Sequence, residues 1–110
     1  MTAVLYEPTR LRITASGHAG FATKGSDTVC AAVTALMATL PAAFEDAGIT
    51  HAVTSDEEKG VLQIRAMPPP GGEGKCMIMM NTVAAGLSRL AEAYPENVSM
   101  RTLTEREVKG

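Results

Sequence analysis

Leu11-Arg12-Ile13-Thr14-Ala15-Ser16-Gly17, then a short run of small and polar residues, then Asp27-Thr28-Val29-Cys30-Ala31-Ala32-Val33, is the stretch from which the architecture is read. Leu11, Ile13 and Ala15 alternate with Arg12, Thr14 and Ser16, the period-two pattern of a strand with one apolar face. Gly17 ends it. From Thr28 to Ala47 the chain is Ala, Leu, Val, Met and Thr with almost no charge before Glu45. That predicts a helix, with Asp27 placed to accept hydrogen bonds from first-turn amides. Being apolar nearly all round, this helix is expected to be largely buried. Pro41 inside it is expected to kink or split it, and Gly48 to stop it.

Working outward, Thr2 to Tyr6 reads as a strand preceding the first one, with Glu7-Pro8-Thr9-Arg10 as the turn between them. Ile49 to Ser55 and Gly60 to Ala66 read as a second hairpin around the acidic turn Asp56-Glu57-Glu58-Lys59. Val61, Ile64 and Ala66 alternate imperfectly, which leaves room for a bulge or a second register. Met67-Pro68-Pro69-Pro70-Gly71-Gly72 is a breaker. Glu73 to Ala93 carries Cys76, Met80, Val83, Leu87 and Leu90 at helical spacing, and Tyr94-Pro95-Glu96-Asn97 ends that helix. Val98 to Glu105 reads as a last strand. The order β-β-α-β-β-α-β predicts one α+β domain over residues 1–110, a mixed or antiparallel sheet packed with two main helices.

Composition narrows the function classes. The net charge is −2 and the chain has no Trp, two Phe and two Tyr. Without a basic stripe or an aromatic platform, direct nucleic-acid binding is disfavoured. No basic region followed by an apolar segment opens the chain, and no apolar run is expected to reach bilayer length, so neither a signal peptide nor a membrane partner is expected. A cytoplasmic location with two free thiols follows as the expectation. No Cys-x-x-Cys or His-x-x-x-His pairing is present, so no metal site is predicted. Gly71-Gly72-Glu73-Gly74-Lys75 lacks phosphate-loop spacing and reads as the start of a helix.

Chemistry concentrates at His18 and Cys30, which flank the segment between strand and helix. A thiol with an imidazole in reach is the minimum for a cysteine nucleophile with its base. The thiolate is the reactive form, and a helix first turn favours it. The same turn offers amides for an oxyanion, and the loop from Ala19 to Ser26 is small enough to open and close over a substrate. The plainer reading stands beside this one: Cys30 as a small core residue, His18 at the surface, and Asp27 as a cap whose charge would raise the thiol pKa.

The block Gly17-His18, Gly25, Asp27, Val29-Cys30-Ala31 and Val33 resembles the ribosomal-processing cysteine protease family of bacteria. The C-terminal Leu87, Leu90 and Tyr94-Pro95 before a final strand are also similar to that family, so the likeness runs over nearly the whole chain. The resemblance implies an enzyme that removes a short N-terminal extension from a large-subunit ribosomal protein and that acts as a homodimer without cofactor or metal. It implies His18 as general base, Cys30 as nucleophile, Asp27 as an ordering group, and the loop with Gly20 and Gly25 as the substrate acceptor. Two positions depart from the pattern: Thr28 stands where an aliphatic residue is expected, and Thr34 where Ser is expected, one turn after the Cys. Thr34 keeps the hydroxyl, so a supporting hydrogen-bonding role remains open to it. Two other functions compete: a non-catalytic ribosome-assembly module that holds the same polypeptide, and a thiol redox sensor built on Cys30 and Cys76.

Overall fold

The computed structural model of the protein describes residues 1–17 and 28–104. Strand β1 (Thr2–Glu7) leads through a single 3-10 turn (Pro8–Arg10) to β2 (Arg12–Ser16), helix α1 (Thr28–Asp46), β3 (His51–Asp56), β4 (Val61–Ala66), helix α2 (Glu73–Ala93) and β5 (Val98–Thr102). The five strands lie in the order β3-β4-β2-β1-β5. β1–β2, β2–β4 and β3–β4 are antiparallel, whereas β5 runs parallel to β1. The sheet is therefore mixed, and the expected α+β order holds element by element.

One face of the sheet carries Val4, Tyr6, Ile13, Ala15, Ile64, Ala66 and Val98. These residues form a single core with Val29, Val33, Met37, Leu40 and Phe44 of α1 and Cys76, Met80, Val83, Ala84 and Leu87 of α2. At roughly 1.5–3 kcal/mol for each large apolar side chain withdrawn from water, this layer is the main source of stability. The helices approach closely where Gly86 faces Leu36: a Cβ at Gly86 would lie 3.0 Å from a Leu36 methyl carbon. Tyr6, fully inside, donates its hydroxyl to Asn81 Oδ1 at 2.6 Å and so ties β1 to α2.

Several local expectations are corrected. Leu11 was expected to open β2 but closes the 3-10 turn at φ 50, donating its N–H to the Pro8 carbonyl at 3.1 Å. Its burial offsets the strain of a left-handed backbone, about 1–2 kcal/mol. Pro41 does not split α1, which runs unbroken from Thr28 to Asp46; Leu40 and Phe44, both buried, hold the turns on either side against the sheet. The α1 terminus does follow the Gly48 signal. Gly48 has φ 70, its N–H donates to the Glu45 carbonyl, and the Ile49 N–H donates to the Phe44 carbonyl at 2.8 Å. This is the Schellman arrangement that only a left-handed residue completes without strain. β3 and β4 pair in one continuous register without a bulge.

α1 is less buried than its composition suggests. It presents Val29, Val33, Met37, Leu40 and Phe44 to the core, while Ala31, Thr34, Ala35, Ala38, Thr39 and Ala42 are exposed. Contrary to the expectation from the apolar runs, α1 has the length and mean hydropathy (1.5) to cross a bilayer. Here its inward residues do another task, joining the core that packs against the sheet and α2. Lastly, β5 stops at Thr102, short of the expected Glu105, which lies outside the described residues.

Candidate active site

The site is assembled by the end of β2, the start of α1 and the β3–β4 turn. Gly17 leaves β2 with φ 89. Its N–H donates to the Gly60 carbonyl at 2.9 Å, which fastens the strand end to the β3–β4 turn. A side chain at this position would run its Cβ into the Met1 carbonyl oxygen. Glycine is thus required twice here, for the backbone angle and for the close approach.

Cys30 falls in the first turn of α1, the third residue of the helix, and is partly exposed. It lines a cavity of about 460 Å³ together with Gly17, Thr34 and Met37 on one side and Ser55 and Asp56 on the other. Thr34, one turn along α1, is exposed toward solvent and shares this cavity, so the structure brings these two predicted residues together. His18, Gly20, Gly25 and Asp27 lie outside the described residues. The chain enters that segment from Gly17, a cavity residue, and leaves it at Thr28, two residues before Cys30.

Cys30 stands at the N-terminal turn of α1. The amides of a helix's first turn have no intrahelical acceptor, and they converge with the positive end of the helix dipole. Cys76 differs in every respect. It is fully buried in α2, and burial pushes its thiol pKa up; Glu73 adds to the rise and Lys75 partly opposes it. A redox pair with Cys30 needs a thiolate that this setting disfavours. Among the described residues, no three His, Cys, Asp or Glu side chains gather in a group that could hold a metal ion. The Gly71–Lys75 segment is the start of α2, where the Glu73 carboxylate accepts the Gly71 N–H at 2.9 Å.

The sequence did not disclose the opposite wall of the cavity. Ser55, Asp56 and Glu57 read only as a strand end and an acidic turn. Their place beside Cys30 depends on β3 lying at the sheet edge nearest the start of α1, a long-range arrangement without a local signal.

The cysteine protease Prp family matches residues 6–99. The chain belongs to that family. As a cysteine protease it uses a thiol to hydrolyse peptide bonds, and the Prp match runs from the end of β1 to the start of β5. A ribosomal processing cysteine protease Prp from Mycoplasma pneumoniae is 36% identical over 88 residues, covering 80% of this chain and 83% of that protein. Among solved structures, the Prp protease from S. aureus with a covalently linked product peptide superposes with a TM-score of 0.80 at 21% identity, covering 94% of this chain and all of the other. SMU.848 from Streptococcus mutans gives a TM-score of 0.75 at 27% identity, over 94% of this chain and 93% of that one. The S. aureus fold likeness agrees with the mixed five-stranded sheet and two helices described above.

Proposed function

We propose that this protease removes an N-terminal extension from a large-subunit ribosomal protein, with Cys30 as nucleophile and His18 as its base. The observation that carries the reading is the shared cavity: Cys30 in the first turn of α1 and Gly17, the residue joined to His18, line the same space. In this scheme the imidazole takes the thiol proton and the sulfur attacks the scissile carbonyl carbon. First-turn amides stabilise the resulting oxyanion. The imidazolium then protonates the departing amine as the carbon–nitrogen bond breaks, leaving a thioester that water hydrolyses with the same imidazole as base. Asp27 helps order the site, Thr34 supplies a hydroxyl to the cavity wall, and the segment with Gly20 and Gly25 receives the substrate. None of these steps calls for a metal or cofactor.

The enzyme acts in the cytoplasm, where its substrate is made, and as a homodimer without direct contact to nucleic acid. The uncharged exposed face of α1, from Ala31 to Ala42, supports self-association, because small side chains let two helices approach closely. Incubating the purified protein with the extended ribosomal protein and following mass tests the main reading. Wild type trims the substrate, and Cys30→Ala and His18→Ala leave it intact while melting as wild type does. Full trimming by both variants, or binding without any product from wild type, overturns it, the second result pointing to a holding module instead.

A further inference from the structure

Strand β3 is an edge strand, and its outer side is open among the described residues. Its hydrogen-bonding phase follows from two bonds just beyond the ladder. The Met67 N–H donates to the Thr50 carbonyl at 2.7 Å, and the Ala66 N–H donates to the Leu11 carbonyl on the β2 side. In an antiparallel ladder, directly bonded pairs recur at every second residue. Ala52, Thr54 and Asp56 therefore bond to β4, opposite Arg65, Gln63 and Val61. His51, Val53 and Ser55 turn their N–H and C=O groups outward, to the open edge.

Edge strands are ordinarily blunted by a bulge, a proline, a lysine or a covering element. Among the described residues β3 has none of these along His51–Asp56: its register with β4 is regular, and Ala52 through Asp56 are all exposed. Val53 lies opposite Ile64, on the helix side of the sheet, yet is 49% exposed. At the far end of the strand, Ser55 and Asp56 enter the wall of the cavity that holds Cys30. A strand edge left open among the described residues thus runs directly into the nucleophile's cavity.

We propose that the polypeptide substrate binds as a sixth strand on β3, its main chain hydrogen-bonded to the outward groups of Val53 and Ser55, which delivers the scissile bond to Cys30. The inference rests on the protease reading above and adds how the substrate is held. Strand addition draws affinity from main-chain bonds and places alternate side chains on one face. Those side chains project over Val53 and Ser55 toward the cavity. Such binding requires an extended, flexible substrate segment, which a terminal extension provides and a folded domain does not.

A synthetic peptide covering the extension and the first residues of the processed protein serves as probe, with single backbone N-methyl groups placed at each position except the scissile amide. Expected is an alternating pattern: methylation at every second residue raises KM about tenfold, the intervening positions little, as loss of single hydrogen bonds would give. Val53→Pro, which removes one outward N–H while sparing the β4 ladder, raises KM by a similar factor with kcat within about twofold. Val53→Thr, which keeps the outward N–H, raises KM less than Val53→Pro does. A methylation profile without alternation overturns the proposal, as does an unaltered KM in a folded Val53→Pro variant. Should that variant fail to fold, the methylation series on the wild-type enzyme decides. If wild type cuts no unmodified peptide, the protease assignment falls and strand addition falls with it; if it cuts while the pattern is absent, only strand addition falls.

Discussion

Replacing Glu7 with Gln removes a single charge from the most enclosed ionic group among the described residues. Glu7 is 2% exposed, and its carboxylate takes two parallel hydrogen bonds from Arg12, Nε to Oε1 and Nη2 to Oε2, both 2.8 Å, with a third from Arg10 Nη1 at 2.9 Å. Hydrogen bonds to charged groups are worth about 1.5–3 kcal/mol each at most. Arg10 is nearly half exposed and its contribution is largely screened, whereas Arg12 is mostly covered. The fork from Arg12 therefore dominates, and Gln, with one acceptor oxygen, keeps only part of it. Glu7→Gln should cost about 2 kcal/mol at neutral pH. For a domain of this size that is a fall in Tm of about 8 °C.

The pH dependence carries a definite sign. The Arg12 hydrogen bonds, more than burial opposes, hold the Glu7 pKa below its ordinary value of 4.5. A carboxylate depressed on folding contributes stability that is fully present above the unfolded pKa and is lost as pH falls through the folded one. The gap between wild type and Glu7→Gln is thus constant from neutrality down to about pH 5 and closes as the carboxylate protonates below its ordinary range. Urea unfolding followed by circular dichroism at a series of pH values measures it. A gap that persists unchanged in acid, or no gap at neutrality, would refute the reasoning, since either would mean that the charge itself contributes nothing.

Two further outcomes follow from the site. Gly17→Ala should lower stability by about 1–2 kcal/mol through its left-handed backbone alone, and should depress cleavage further because Gly17 fixes the strand end beside Cys30; denaturant titration alongside kcat/KM measures both, and a variant of wild-type stability and rate would contradict the required φ. With a thiol-specific alkylating reagent on the native protein, Cys30 should react readily and Cys76 only after unfolding. Peptide mapping distinguishes them, and equal native rates would be inconsistent with a buried Cys76.

Where local chemistry decides, the sequence was readable. Glu73 and Ala93 bound α2 as the Pro/Gly run and Tyr94-Pro95 require, and Gly48 stops α1 because φ 70 suits glycine. The errors arose where tertiary packing overrides a local rule. Pro41 removes one N–H bond from α1, but burial of Leu40 and Phe44 on either side keeps the helix whole. Leu11 accepts a backbone angle it disfavours because its side chain reaches the core. The exposure of Ala31, Ala35 and Ala38 was hidden by composition, since alanine is apolar without demanding burial. At the site, Cys30 and Thr34 were legible as one helix turn, but the wall formed by Ser55 and Asp56 depends on strand order, which no local pattern encodes.

The parallel pairing of β5 with β1 has a consequence for timing. Thr2 sits opposite Val98 and donates its N–H to the Asn97 carbonyl, so the first of the five described strands is completed by the fifth. Until Val98–Thr102 emerges during synthesis, β1 lacks a neighbour on one side and the sheet cannot close. Contacts between such distant parts of a chain also slow folding. A nascent copy therefore gains its full sheet only once β5 has emerged, which delays the appearance of a working thiol until that fifth strand is made.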